Sequence, residues 1–131
     1  MKTERPARIQ DLLGLVNALY PPQLAEPWDN VGLQAGDPAA PLTKVLIGLD
    51  PSEPAVTAAQ AAGAEALLTH HPLIFKPLKT LTPGTETGRI VLQAIRSGIS
   101  VIAAHTNLDR AAEGLNDWLA TLLGVVGGLP L

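Results

Sequence analysis

An α/β fold, with a mainly parallel sheet flanked by helices, is predicted by three features of this sequence. Short apolar runs at 44–49, 66–69 and 99–104 have the character of buried strands. Segments with helical spacing and helix-end signals separate them. Each strand also ends in a residue able to carry chemistry: Asp50, then His70 with His71, then His105. Strands alternating with helices favour parallel pairing, because each crossover helix returns the chain to the same end of the sheet.

The elements follow in order. Ile9, Leu12, Leu13, Val16 and Leu19 recur at helical spacing after Pro6, so 7–19 reads as an amphipathic helix stopped by Pro21-Pro22. The proline-rich stretch 21–43 reads as irregular. Lys44 to Leu49 is the first strand. Ser52 is placed to cap a helix through Ala62, with Pro54 in its first turn and Gly63 past its end. Ala66 to Thr69 is the second strand, ending at His70-His71-Pro72. Residues 86–97 read as a helix closed by Gly98, and Ile99 to Ala104 as the third strand. Residues 111–123 read as a last helix closed by Gly124, and Val125-Val126 as the possible start of a fourth strand.

The 131 residues fit one α/β domain, and 47% hydrophobic residues supply a core for it. A net charge of −3 provides no basic excess to neutralise a phosphate backbone, so nucleic acid is not an expected partner. The absence of cysteine removes thiolate metal sites, disulfides and a cysteine nucleophile. No apolar run approaches the roughly 20 residues that span a bilayer. The charged start MKTERPARIQ is not followed by an apolar signal segment, so a cytoplasmic location is expected. Phosphate-loop, dinucleotide and nucleophile-elbow motifs are missing.

Ligands of open α/β sheets bind at the carboxyl ends of the strands. All three histidines stand at two such ends, and Asp109 follows His105 by four residues. Imidazoles mixed with carboxylates suit zinc, iron, manganese, cobalt or nickel. A lone histidine after a strand is ordinarily a hydrogen-bonded loop residue; two adjacent ones near a third make a stronger case. On an extended backbone His70 and His71 point apart, which suits two neighbouring ions, or one ion if the chain bends before Pro72. Asp50 reads equally as a turn or cap residue and as a site residue. Trp28 reads as a core plug before a substrate contact, Asp29-Asn30 as an Asx-type turn, and Asn107 and Asn116 as turn and helix-surface residues.

Three motifs carry a resemblance. Trp28-Asp29-Asn30-Val31-Gly32-Leu33-Gln34, then Leu68-Thr69-His70-His71-Pro72-Leu73-Ile74-Phe75-Lys76, then Ala104-His105-Thr106-Asn107-Leu108-Asp109 with Gly114-Leu115-Asn116-Asp117-Trp118-Leu119-Ala120 resemble, in order, the Nif-three-like family, also called GTP cyclohydrolase 1 type 2 homologues. The match runs from about residue 8 to residue 124. The resemblance implies two divalent transition metal ions, with His70 and His71 as ligands to one metal each, Asp109 as a further ligand and His105 beside them. It also implies a homo-oligomer, commonly a hexameric ring. The family usually carries paired glycines where Glu113-Gly114 stands here. Its C-terminal half supplies a further histidine and glutamate, and no histidine, aspartate or glutamate follows Asp117 in this sequence. The chain is therefore expected to be the N-terminal part of a longer family unit, with an incomplete site and an uncovered apolar face or edge that promotes self-association. The functional expectation is a metal-dependent hydrolase acting on a small heterocycle or nucleotide. The alternatives are a non-catalytic metal carrier or assembly protein, and an inactive truncated module.

Overall fold

A computed structural model describes residues 5–127. Five helices and four strands follow one another as α1 (Ile9–Leu19), β1 (Gly32–Ala35), β2 (Val45–Gly48), α2 (Glu53–Ala61), β3 (Ala66–Thr69), α3 (Glu86–Arg96), β4 (Ser100–Ala103), α4 (Thr106–Arg110) and α5 (Leu115–Leu122), with a single 3₁₀ turn at Pro22–Leu24. The sheet order is β1-β4-β3-β2. The pairs β2–β3 and β3–β4 are parallel, with Val45 opposite Ala66 and Ala66 opposite Ser100. The expected α/β sheet flanked by helices is thus present.

Local chemistry explains the helix starts. The Asp11 carboxylate accepts from the Arg8 backbone N–H at 2.8 Å and is bridged by Arg5, which fixes the first turn of α1. Ser52 Oγ accepts from Ala55 N and Thr85 Oγ1 from Gly88 N, as helix caps do. Alternation along the strands then divides the core. Leu67 and Val101 face α2 and α3, where Val56, Ala59, Ile90, Val91 and Ala94 close over them. Ala66 and Ile102 face the other way, against Ile9 of α1. With both faces covered, the central strands β3 and β4 are apolar except for the buried Thr69 and Ser100.

Three sequence expectations need correction. The stretch 21–43 is not wholly irregular: Gly32–Ala35 forms β1, an edge strand antiparallel to β4. Its Gly-Leu-Gln-Ala composition has little strand propensity, and a register shift between Leu33 and Ala35 interrupts its pairing. Gly36 follows it at φ +123°, where a Cβ would lie 2.3 Å from Ser100 Oγ. The helix expected over 111–123 is shorter, α5 at Leu115–Leu122, and a separate short helix that was not expected, α4 at Thr106–Arg110, precedes it. Between them Ala111 is extended and Glu113 takes φ 57°, a left-handed conformation that glycine adopts freely. A Cβ on Gly114 would sit 2.2 Å from the Leu108 carbonyl oxygen, so this second position admits only glycine. Finally, Val125-Val126 form no strand: Val125 N–H bonds back to Ala120 O, finishing α5.

Candidate metal centre

The site stands where β3 and β4 end side by side. Parallel pairing places Thr69 opposite Ala103, and one more ladder bond runs from Ala104 N to Thr69 O at 3.0 Å. His70 and His105 therefore emerge from neighbouring strands at the same edge. The strand does not continue through the histidine pair. Thr69 Oγ1 donates to His71 O at 2.8 Å and His71 N donates to Leu49 O at 3.0 Å, which turns the chain toward the end of β2. That bend brings the two adjacent rings together, with centroids 5.3 Å apart. His105 completes a triangle, 5.1 Å from His70 and 5.7 Å from His71. One ligand-type nitrogen from each ring lies within 4.8 Å of the others.

Each ring is held from behind. His70 Nδ1 lies 2.9 Å from Ala104 O, and since a carbonyl only accepts, this nitrogen carries the proton. His71 Nδ1 meets Asp50 Oδ1 at 2.5 Å, and His105 Nδ1 meets Asp29 Oδ1 at 3.0 Å. In all three, Nδ1 is committed to an oxygen acceptor and Nε2 is left as the free nitrogen. Metal-binding histidines are oriented in this way. Asp109 Oδ1 lies 3.6 Å from His70 Nε2, beyond hydrogen-bond length, so carboxylate and imidazole face a shared space without closing on each other.

Asp29 is the most deeply placed carboxylate of the site, its side chain fully buried. Burial pushes its pKa up. Hydrogen bonds from the Thr106 hydroxyl, the His105 ring and the backbone N–H groups of Thr106 and Asn30 outweigh that, and hold it below the ordinary carboxylate value. Asp29 is thus no simple Asx turn: it joins the Trp28 loop to the start of α4. Asn107 is no simple turn residue either: it lies in α4. It is buried, its Oδ1 accepting from His105 N and its Nδ2 donating to Tyr20 O, both at 2.9 Å. Asn116 does lie on the surface and ties α5 to the Asp109 carbonyl. Trp28, expected in the core, is 58% exposed and packs edge-on to Phe75 and His105. Asp50, left between a turn and a site role, orients His71. Thr106 carries no local signal of a site role in the sequence, yet it closes on Asp29 through both its backbone N–H and its hydroxyl.

Two surface grooves of about 330 and 340 Å³ lie elsewhere, around Arg89 and Gln93 and around Gly36 and Ile95, and no histidine lines either. The histidine site is an open rim.

The family model described as Duf34/NIF3 (NGG1p interacting factor 3) matches residues 7–131. The chain belongs to this family. It is 39% identical over 122 residues to a protein of Clostridium perfringens named GTP cyclohydrolase 1 type 2 homolog, covering 93% of this chain and 47% of the relative. A Lactococcus lactis protein of the same name is 42% identical over 118 residues, covering 90% and 46%. Among solved structures, a Bacillus cereus protein related to NIF3 superposes with a TM-score of 0.85 at 40% identity, over 92% of this chain and 33% of its own. Reduced HcgD from Methanocaldococcus jannaschii superposes with a TM-score of 0.82 at 34% identity, over 90% and 47%. The chain spans a little under half the length of these two curated relatives. Among the described residues, no helix is long and apolar enough to cross a membrane.

Proposed function

We propose that this member of the family contributes His70, His71, His105 and Asp109 to a centre of two divalent transition metal ions in a cytoplasmic hydrolase of small heterocycles or nucleotides. One observation carries the reading: three imidazoles converge with every Nδ1 tied to an oxygen, leaving three free nitrogens on one rim. That donor set, neutral nitrogen with one carboxylate, fits zinc, iron, manganese, cobalt or nickel.

Such a centre, when bound, supplies a water acidified to near neutrality and a Lewis acid for the bond being cleaved. The chain's own residues set its geometry. The Ala104 carbonyl and Asp29 hold His70 and His105 at fixed angles on adjacent strands, and Asp50 holds His71 from the end of β2. Four donors leave two ions under-coordinated. The family resemblance implies a further histidine and glutamate, in the part of the relatives that this chain does not span. Metal affinity of the isolated chain is then weak, and it rises when that part is supplied. The ring assembly that the resemblance implies is in keeping with the apolar side chains exposed along α5.

Metal content after dialysis tests the site. His71→Ala and Asp109→Ala should each lower the bound metal well below wild type. Wild-type loading of both variants would refute the assignment. Hydrolysis of a nucleotide panel, abolished by a chelator, tests the activity.

A further inference from the structure

Beside the imidazoles stands an aromatic pair that the fold does not use. Trp28 is 58% exposed and Phe75 46% exposed, although both lie on well-anchored backbone. The Trp28 loop is held by Glu26 N to Thr106 Oγ1 at 2.9 Å and by Asp29. The Phe75 loop is held by Ile74, whose carbonyl accepts from Asn30 Nδ2 at 2.5 Å and whose N–H donates to Gln34 Oε1 at 3.2 Å. These polar contacts fix both loops while the rings stay about half exposed. Trp28 meets Phe75 edge-to-face, with centroids 5.9 Å apart and planes at 66°, and meets His105 at 6.4 Å and 75°. More than half of the Trp28 side chain is exposed, which leaves ring surface available to a third ring. Two large, half-exposed aromatic side chains on anchored backbone, against an imidazole of the rim, have the character of a stacking surface.

We propose that Trp28 and Phe75 form a platform for the planar heteroaromatic ring of the ligand that enters the histidine site. The inference deepens the proposed function, since it names the feature by which that site selects its substrate: a flat π-system such as a nucleobase, laid against Trp28 with its edge turned toward His105. It needs no metal to be tested, because stacking draws on the two aromatic rings alone.

The probe is guanosine 5′-monophosphate, compared with ribose 5-phosphate, which keeps the sugar and phosphate but lacks the ring. In a Trp118→Phe background Trp28 is the sole tryptophan, and its fluorescence reports the contact. The nucleotide should quench it saturably and ribose 5-phosphate should not. Trp28→Leu should weaken nucleotide binding, followed by calorimetry, about tenfold, the scale of one base–aromatic stack. Trp28→Phe should retain most of the affinity, which separates lost stacking from lost folding. Zinc titrations on the same variants should be unchanged, because Trp28 offers no ligand atom. Equal binding of the two probes, or wild-type nucleotide affinity in Trp28→Leu, would overturn the platform. Failure of zinc to bind while the nucleotide still quenches Trp28 would support the platform and overturn the metal reading instead.

Discussion

At the ends of β3 and β4 each histidine has an oxygen partner behind it, and the Asp29 and Asn107 side chains that support His105 are buried, while Asp50 behind His71 is exposed. On α5, eight residues form a regular helix that buries no side chain, while Trp118, Leu119, Leu122 and Leu123 stand in the open. Both regions belong to the motifs that mark the family. The first is a position-holding device, whose value lies in angles and distances. The second is a face without a counterpart within the described residues. Apolar content alone does not distinguish a core from a contact surface; the count of satisfied neighbours does.

The largest effect that sharpens this contrast is expected in the sheet. Leu67, fully buried between α2 and α3, should lose about 2–5 kcal/mol on substitution by alanine, read from urea unfolding. A loss near zero would mean that the two covered faces are not the stabilising core.

Next comes the rim. Asp29→Asn removes the charged acceptor of His105 Nδ1 and invites the opposite tautomer. Zinc affinity by calorimetry should fall about 10–100-fold with the circular dichroism spectrum preserved. Unchanged affinity would show that His105 is held well enough without its carboxylate.

A smaller effect is expected from Glu65, which accepts from Thr43 N, Lys44 N and Thr43 Oγ1 at 2.8–2.9 Å. Those hydrogen bonds lower its pKa from 4.5 to about 2. A depressed carboxylate pKa contributes stability that is fully present above 4.5 and lost as the pH falls toward 2. Glu65→Gln should therefore be less stable than wild type at neutral pH, and the two curves should converge in acid. Parallel curves would remove Glu65 from the account.

The smallest effect on folding is expected on α5. Leu122, 63% exposed, should change stability by no more than about 0.5 kcal/mol when replaced by alanine. Leu122→Lys should instead reduce concentration-dependent mass in light scattering, as it places charge on a face suited to self-association. A strictly monomeric wild type would break the comparison, leaving α5 merely exposed.

What the sequence made legible was local. The apolar runs of β2, β3 and β4 declare themselves, and the three histidines stand at ends that the strand rule singles out. Ser52, Pro54 and Gly63 bracket α2 within a dozen residues. What stayed hidden depends on distant partners. Asp29 sits 76 residues from His105, and Trp-Asp-Asn by itself reads as a turn. Asn107 is buried and reaches Tyr20, 87 residues away, a partner no local pattern announces. β1 was missed because an edge strand needs only one neighbour and little propensity. The large apolar ring of Trp28 argues for burial, whereas its setting at the rim leaves it more than half exposed.

The bond from His70 Nδ1 to the Ala104 carbonyl has a spectroscopic consequence. The ring proton and the Ala104 amide bridge the same two strand ends, one through a side chain and one through the ladder. A ring proton exposed to water exchanges too fast to see, whereas one held on a carbonyl persists. Its resonance should therefore serve as a clock for opening of the β3–β4 junction. Its exchange lifetime should follow that of the Ala104 amide, so local opening at this end of the sheet can be timed from a single imidazole signal.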